Sequence, residues 1–251
     1  MHRLILILML VSLVFALSGQ TYSEEMKQKA EAGDLGYQTD LGLCYYHGYG
    51  IEQNYATAVY WWRKAADKGY ANAQHNMGIS YEEGNGVEKN FAEAVKWYKK
   101  AAEQNQELSQ NNLGVCYDFG SGVEKNHETA VYWYRRSADL GCMDGQFNLA
   151  NSYYDGKGVA QNYTEAMKYY EKAANQGHAG AANNLGTCYQ DGLGTIKDLE
   201  SAYFWYLVAD ELGDDNAETN IDAIYEYLTD DEIDNAEEDF YYWLDDYEGY
   251  Y

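Results

Sequence analysis

The sequence predicts an all-α protein, a solenoid of helical hairpins, and three observations predict it. A period of 36 residues runs through positions 34–213 in five copies without an insertion. Each copy carries two segments with apolar residues at helical spacing. Proline is absent while 24 of 251 residues are glycine, so helix ends are set by glycine and not by proline stops.

The period shows in many positions at once. Gly42, Gly78, Gly114 and Gly186 keep it, with Ala150 at the remaining place. Tyr45, Tyr81, Tyr117, Tyr153 and Tyr189 share a second register, and Ala58, Ala94, Ala130, Ala166 and Ala202 a third. Glycine pairs recur between the two segments, from Gly48/Gly50 to Gly192/Gly194. Trp61, Trp97, Trp133, Tyr169 and Trp205 complete the set. The copies are 34–69, 70–105, 106–141, 142–177 and 178–213.

The elements follow in chain order. Met1-His2-Arg3 is a short basic start, Leu4 to Leu17 an apolar run, and Ala16-Leu17-Ser18 a small-x-small cleavage signature. Residues 1–18 are therefore expected to be a signal peptide, too short for a helix across a ~30 Å hydrocarbon core. The mature chain is expected to begin near Gly19 and to be exported, whether secreted, periplasmic or in a secretory-pathway lumen, without membrane insertion after cleavage. Residues 19–33 form a lead-in.

In copy one the first helix is expected from about Asp34 to His47, with Leu41 and Tyr45 on one face, and Gly48 ends it in the left-handed conformation. Asn54, Asn90, Asn126, Asn162 and Asp198 stand where the second helix needs an N-cap, with Glu93 and Glu165 placed for capping boxes. Ala58, Trp61, Trp62 and Ala65 make the i, i+3, i+4, i+7 stripe of a buried face. One hairpin cannot bury that stripe alone, so the copies must stack. Beyond them, Ile221, Ile224 and Leu228 share a face, and Thr229-Asp230-Asp231-Glu232 opens another helix. Residues 214–244 are expected to cap the stack as a helical pair, with 245–251 an acidic tail.

The pattern Leu-Gly-x-x-Tyr-x-x-Gly-x-Gly-Val, then Ala-x-x-Trp-Tyr-x-Lys-Ala-Ala, resembles the Sel-one-like repeat family, relatives of tetratricopeptide repeats. Copy two carries it nearly whole, in Met77-Gly78-Ile79-Ser80-Tyr81, Gly84-Asn85-Gly86-Val87 and Ala94 to Ala102. The resemblance implies a right-handed superhelix with a concave groove used for protein–protein contact. Copy five departs most, with Thr195 for Val and Leu207-Val208-Ala209-Asp210 for Lys-Lys-Ala-Ala.

Net charge is −24, and the 38 residues from Asp214 onward hold 15 acidic groups and no Lys or Arg. Such a field repels phosphate backbones and argues against nucleic acid as a partner. It serves either solubility or docking of a basic partner or divalent cations.

Chemistry finds little footing. The Gly-x-Gly pairs lack the third glycine of a dinucleotide loop, and no Gly-Lys-Ser/Thr occurs. His47, His75, His127 and His178 fall at four repeat positions without a His-x-x-x-His pair, so no metal site is expected. Gly-x-Ser-x-Gly and Ser-x-x-Lys are absent. No enzyme and no cofactor are predicted. Cys44, Cys116 and Cys188 share one register with Ser80 and Ser152, which marks a place for a small side chain. Equivalent positions two copies apart lie about 20 Å from each other, too far for a disulfide. Asn162-Tyr163-Thr164 is a formal glycosylation sequon on a residue expected to cap a helix.

The residue before each Leu-Gly place is Asp40, Asn76, Asn112, Asn148 or Asn184, a row along the first helices. The resemblance implies that such asparagines can hydrogen-bond the backbone of a bound peptide. The other reading is that they tie neighbouring helices together. The sequence leaves both open.

Three functions follow in descending order. The first is an exported, monomeric adaptor or scaffold that holds a protein or peptide partner in the groove. The second is a regulator of a secreted or envelope enzyme, acting through the acidic end with Tyr241, Tyr242, Tyr247, Tyr250 and Tyr251. Last comes a cell-wall or β-lactam hydrolase.

Overall fold

The computed structural model describes residues 21–249, with thirteen α-helices and no strand among them. The predicted leader lies outside the described residues. The chain forms two compact units. One runs to Ser109 and takes in Gly120–Glu124, and the other comprises Gln110–Phe119 and everything from Lys125.

In the first unit α1 (Glu24–Glu31), α2 (Leu35–His47), α3 (Tyr55–Ala66), α4 (Ala71–Glu83) and α5 (Phe91–Ala102) follow one another, and α6 (Glu107–Phe119) begins. The stripe predicted on α3 is the buried one: Ala58, Trp61, Trp62 and Ala65 are all inside. Trp62 fills the space left by Gly42 and donates its indole N–H to the Thr39 carbonyl at 3.0 Å. Its apolar bulk is thus buried with its one polar atom satisfied.

The lead-in carries a helix that its composition did not announce. Ser23 caps α1 by accepting from the Met26 N–H at 3.1 Å, and Met26 and Ala30 pack with Leu41, Cys44 and Trp61. The side-chain amide of Gln38 donates to the Ala30 carbonyl at 2.9 Å, as that of Gln74 does to Ala66 at 3.1 Å, and Ala30 and Ala66 are one period apart. α1 therefore stands where the second helix of a preceding copy would stand.

In the second unit the rest of α6 is followed by α7 (His127–Asp139), α8 (Met143–Asp155), α9 (Tyr163–Ala174), α10 (Ala179–Asp191) and α11 (Leu199–Glu211). Its core is built from small residues and fully buried rings: Ala166, Ala173, Ala181 and Ala182 around Tyr170, with Leu149 and Leu185. Beyond the copies come α12 (Ala217–Tyr225) and α13 (Asp230–Gly249). Ile224 and Ala236 close over Ala202, Tyr203 and Tyr206. The capping box at Thr229 forms, its N–H donating to Glu232 at 2.8 Å and its Oγ1 accepting from the Glu232 N–H at 3.3 Å. Residues 245–249, expected as tail, continue α13, where Tyr247 stacks on Trp243 at 4.9 Å between centroids.

Each hairpin is closed the same way. Gly48 takes φ +78° and donates its N–H to the Cys44 carbonyl, ending α2. Past the turn, Asn54 caps α3 by accepting from Thr57 at 2.9 Å, a device worth ~1 kcal/mol. Its own N–H donates to the Tyr45 carbonyl at 2.8 Å, and Asn90, Asn126, Asn162 and Asp198 make the same bond to Tyr81, Tyr117, Tyr153 and Tyr189. That bond corrects the expected capping boxes at Glu93 and Glu165, because the cap amide each glutamate would receive is already taken. Glu93 instead pairs with Lys96.

Neighbouring copies meet at the second glycine of each turn. A Cβ on Gly86 would overlap the Tyr55 carbonyl at the start of α3, and one on Gly194 would come within 2.6 Å of the Tyr163 backbone at the start of α9. From the second copy onward each turn therefore seats directly on the N-terminus of the preceding copy's second helix, while Gly50 of the first meets Tyr22 just ahead of α1.

Candidate functional site

The asparagine row divides between the units. In the first, Asp40 on α2 is half-buried, its carboxyl raised by burial and by Asp34, and Asn76 on α4 is buried. In the second, Asn112, Asn148 and Asn184 fall at one register on α6, α8 and α10, all half-buried. Asn148 reaches back to the preceding first helix and donates to Asn111 Oδ1 at 2.9 Å. Asn112 Oδ1 stands 3.5 Å from the Asn111 amide. Asn184 reaches back in the same sense, its Nδ2 lying 3.4 Å from Asn151 Oδ1.

Asn184 lines a recess. It does so with Asn151, Tyr154 and Asp155 from α8, Tyr170 from α9 and Thr187 from α10. Of these lining residues the sequence reading named Asn184, as one of its row of five, and missed the others.

The local wiring shows why the recess lies in copy four. The fully buried tyrosine of the second helix needs an acceptor for its hydroxyl. Tyr98 finds Glu82 at 2.5 Å, and Tyr206 finds Gln190 at 2.6 Å, each sixteen residues upstream on the facing first helix. In copy four that upstream place holds Tyr154, so Tyr170 donates instead to Asn151 Oδ1 at 2.6 Å. Asn151 occupies a register that holds Leu43, Ile79 and Val115 in the first three copies. Two departures from the repeat, Asn for an apolar residue and Tyr for an acceptor, thus make the polar recess. That was a signal in the sequence, visible only by asking what copy four lacks.

The electrostatics follow from burial. Tyr170 is held well above the ordinary phenol range by burial, with the Asn184 amide, donating to its oxygen, pulling the other way. Tyr154 is raised by burial first and then by Cys188, Tyr163, Asp191 and Asp155. Asp155 at the rim is exposed and pairs with Lys157 at 2.5 Å.

A second surface lies on α13. Asp234, Glu237, Glu238, Tyr241, Tyr242 and Asp245 share one face around a shallow depression, with Tyr241 and Tyr242 65 % and 69 % exposed. Among the described residues no group of three or more His, Cys, Asp or Glu is placed to hold a metal ion. No helix among them is long and apolar enough to cross a membrane.

The family model for the Sel1 repeat matches residues 37–70, 71–106, 108–142, 144–178 and 179–214. Among solved structures, a protective antigen present in uropathogenic Escherichia coli strains is similar at 36% identity and a TM-score of 0.77. The match covers 81% of this chain and 44% of the antigen's, so the chain spans less than half the antigen's length. A Sel1 repeat protein from Oxalobacter formigenes is 34% identical with a TM-score of 0.72 over 84% of both chains. An immunity protein from Pseudomonas aeruginosa, 19% identical with a TM-score of 0.53 over 80% of each chain, shares the fold. No curated protein matches the chain.

Proposed function

The chain belongs to the Sel1 repeat family, whose members are generally protein-interaction modules and non-catalytic scaffolds, and we propose that it is an exported, monomeric adaptor holding a protein or peptide partner along its first helices. The supporting observation is the recess at Asn151, Tyr154, Asp155, Tyr170, Asn184 and Thr187. Here amide, hydroxyl and phenol groups from three helices line one recess, and such groups satisfy the backbone and side chains of an extended peptide. Export rests on the leader composition of residues 1–18.

A second reading has its own observation. The exposed tyrosines and four carboxylates on one face of α13 suit contact with a basic surface, as a regulator of a secreted or envelope enzyme would need. One photo-crosslinking experiment in the source cells separates the two. A photoreactive residue at Thr187 captures the partner if the first helices bind it, and one at Tyr242 captures it if α13 does. Tyr132, exposed on α7, is the control expected to stay dark. Capture from Tyr242 alone replaces the first reading with the second.

A further inference from the structure

Resting on the interaction reading above, we propose that the copy-four recess is a subsite for one arginine side chain of the partner. Its volume of about 200 Å³ matches one long side chain and not a fold element. Two of its lining residues are tyrosines, the half-buried Tyr154 and the 1 % exposed Tyr170, whose hydroxyl is held by Asn151; their ring centroids lie 6.3 Å apart with planes tilted by 59°. Of the two only Tyr154 has ring surface to offer a ligand, and a ring face carries the negative end of the quadrupole, which attracts a cation and not an anion.

The polar atoms have the same preference. Asn184 directs its amide N–H toward Asn151 and Tyr170, which leaves its carbonyl oxygen to accept. Thr187 Oγ1 donates to the Asn183 carbonyl at 3.1 Å and lies 3.3 Å from Tyr206 Oη, with a lone pair left to accept from a ligand. Asp155 adds a carboxylate at the rim, and Asp191 lies near enough to raise Tyr154. An acidic side chain would meet repulsion from Asp155, and an apolar one would strand these acceptors. The nearby cation is Lys157, which reaches Asp155 from the exposed turn, so an entering guanidinium shares that carboxylate with it. The acceptors come from two helices, α8 and α10, beside the ring of Tyr154. A planar fork with five donors meets that arrangement better than the compact ammonium of lysine.

The test is an NMR titration of the isotope-labelled full chain with N-acetylarginine methylamide, its lysine counterpart, and its citrulline counterpart, which keeps the shape without the charge. The side-chain amide signals of Asn151 and Asn184 are expected to shift and saturate with arginine. Citrulline should bind roughly tenfold more weakly. Asp155→Asn and Asn151→Val should each weaken arginine roughly fivefold while the far-UV spectrum stays helical, the second being the residue type that Val115 supplies at this register. Equal binding of citrulline, or arginine binding untouched by both variants, overturns the proposal. Selection from a random peptide library on the same chain keeps the two readings apart. Enrichment of peptides with arginine at one fixed place, lost on Asn151→Val, supports both. Enriched peptides without a basic residue that still crosslink at Thr187 sink the arginine subsite and leave the interaction reading standing. A library that yields nothing counts against both.

Discussion

The Nδ2 of Asn148 donates to Oδ1 of Asn111 across 2.9 Å, joining α8 to α6. Asn220 makes the equivalent bond to Asn183 at 2.7 Å, between α12 and α10, at the same separation of 37 residues. Asparagines along the first helices therefore act as fasteners between copies. Whether they also serve a ligand differs by position.

That difference is measurable in two single variants. Asn148→Ala leaves the Asn111 amide oxygen without its donor and should lower unfolding stability by ~1–3 kcal/mol, with partner affinity unchanged. Asn184→Ala breaks a longer contact of 3.4 Å at the recess, so its stability cost should be the smaller. Its partner affinity should fall roughly twofold to tenfold, the worth of one uncharged hydrogen bond. Calorimetric melting beside a binding titration reads both. Equal stability losses with no change in binding would confine the whole row to a fastening role.

Two glycines in the second unit should respond differently to alanine. A Cβ on Gly186 would lie 2.6 Å from Tyr206 Cε1 and 3.2 Å from the Ala202 carbonyl, in a close-packed core where the ring has no room to retreat. Overpacking of this kind costs ~1–3 kcal/mol or more. Gly213 has nothing within 4 Å but sits at φ +89°, where the substitution costs backbone strain of order ~1–2 kcal/mol. The expected order in urea denaturation is Gly186→Ala worse than Gly213→Ala. The reverse order would mean that α10 and α11 can separate without penalty.

Acid should weaken the first unit through one buried imidazole. His75 is held at about 4, below its ordinary 6.5, by burial, with its Nδ1 2.8 Å from Ser109 Oγ. Between those two values the unfolded chain binds a proton that the folded chain refuses. The stability this histidine contributes is therefore complete above pH 6.5 and is withdrawn as pH falls toward 4, a change of up to about 3 kcal/mol. His47, also lowered by burial, adds in the same direction, and His178 does so in the second unit. Asp40, raised by burial, opposes them. In chemical denaturation across this window, His75→Gln should flatten the dependence visibly; an unchanged slope would assign it to other groups.

The cysteines should be chemically silent until the chain unfolds. All four are buried thiols, and burial pushes Cys44 up to about 11 and Cys188 up to about 12. In those two the thiolate, which is the reactive form, is scarcely populated at neutral pH, and burial shields the other two from reagent. Iodoacetamide should label none in the native protein and four after denaturation without a reductant, as intact-mass analysis would show. Labelling of Cys44 in the folded state would mean that α1 opens readily.

The hairpins were legible because their signals are local. Gly48, Asn54 and the Ala58–Trp61–Trp62–Ala65 stripe each dictate a conformation within a turn or two of themselves, and five copies repeat the instruction. The bond from the Asn54 N–H to the Tyr45 carbonyl was not legible, since backbone groups carry no sequence signature and the glutamates at 93 and 165 suggested another partner. α1 was missed because the positions that keep the period there, Ala30 and Gly33 among them, are scattered and lack the Trp and Tyr of the copies, and the bond from Gln38 to Ala30 is what shows the register. The recess depends on Tyr154 and Asn151 changing together, a relation between copies that a search for sameness passes over.

The seat of each turn glycine on the preceding copy has a consequence for how such a chain changes in inheritance. Gly86 meets Tyr55, and Gly194 meets Tyr163, at a spacing of 31 residues in both. Duplicating or deleting one whole 36-codon block at the DNA level returns every such seat to a matching neighbour. Inserting a single codon between Gly84 and Phe91 shifts Gly86 or the Asn90 cap out of register and leaves a backbone collision or an unclosed hairpin. Lineages carrying this architecture should therefore differ in length by whole copies, with new chemistry entering, as at Asn151 and Tyr154, by substitution inside a copy whose frame is already guarded.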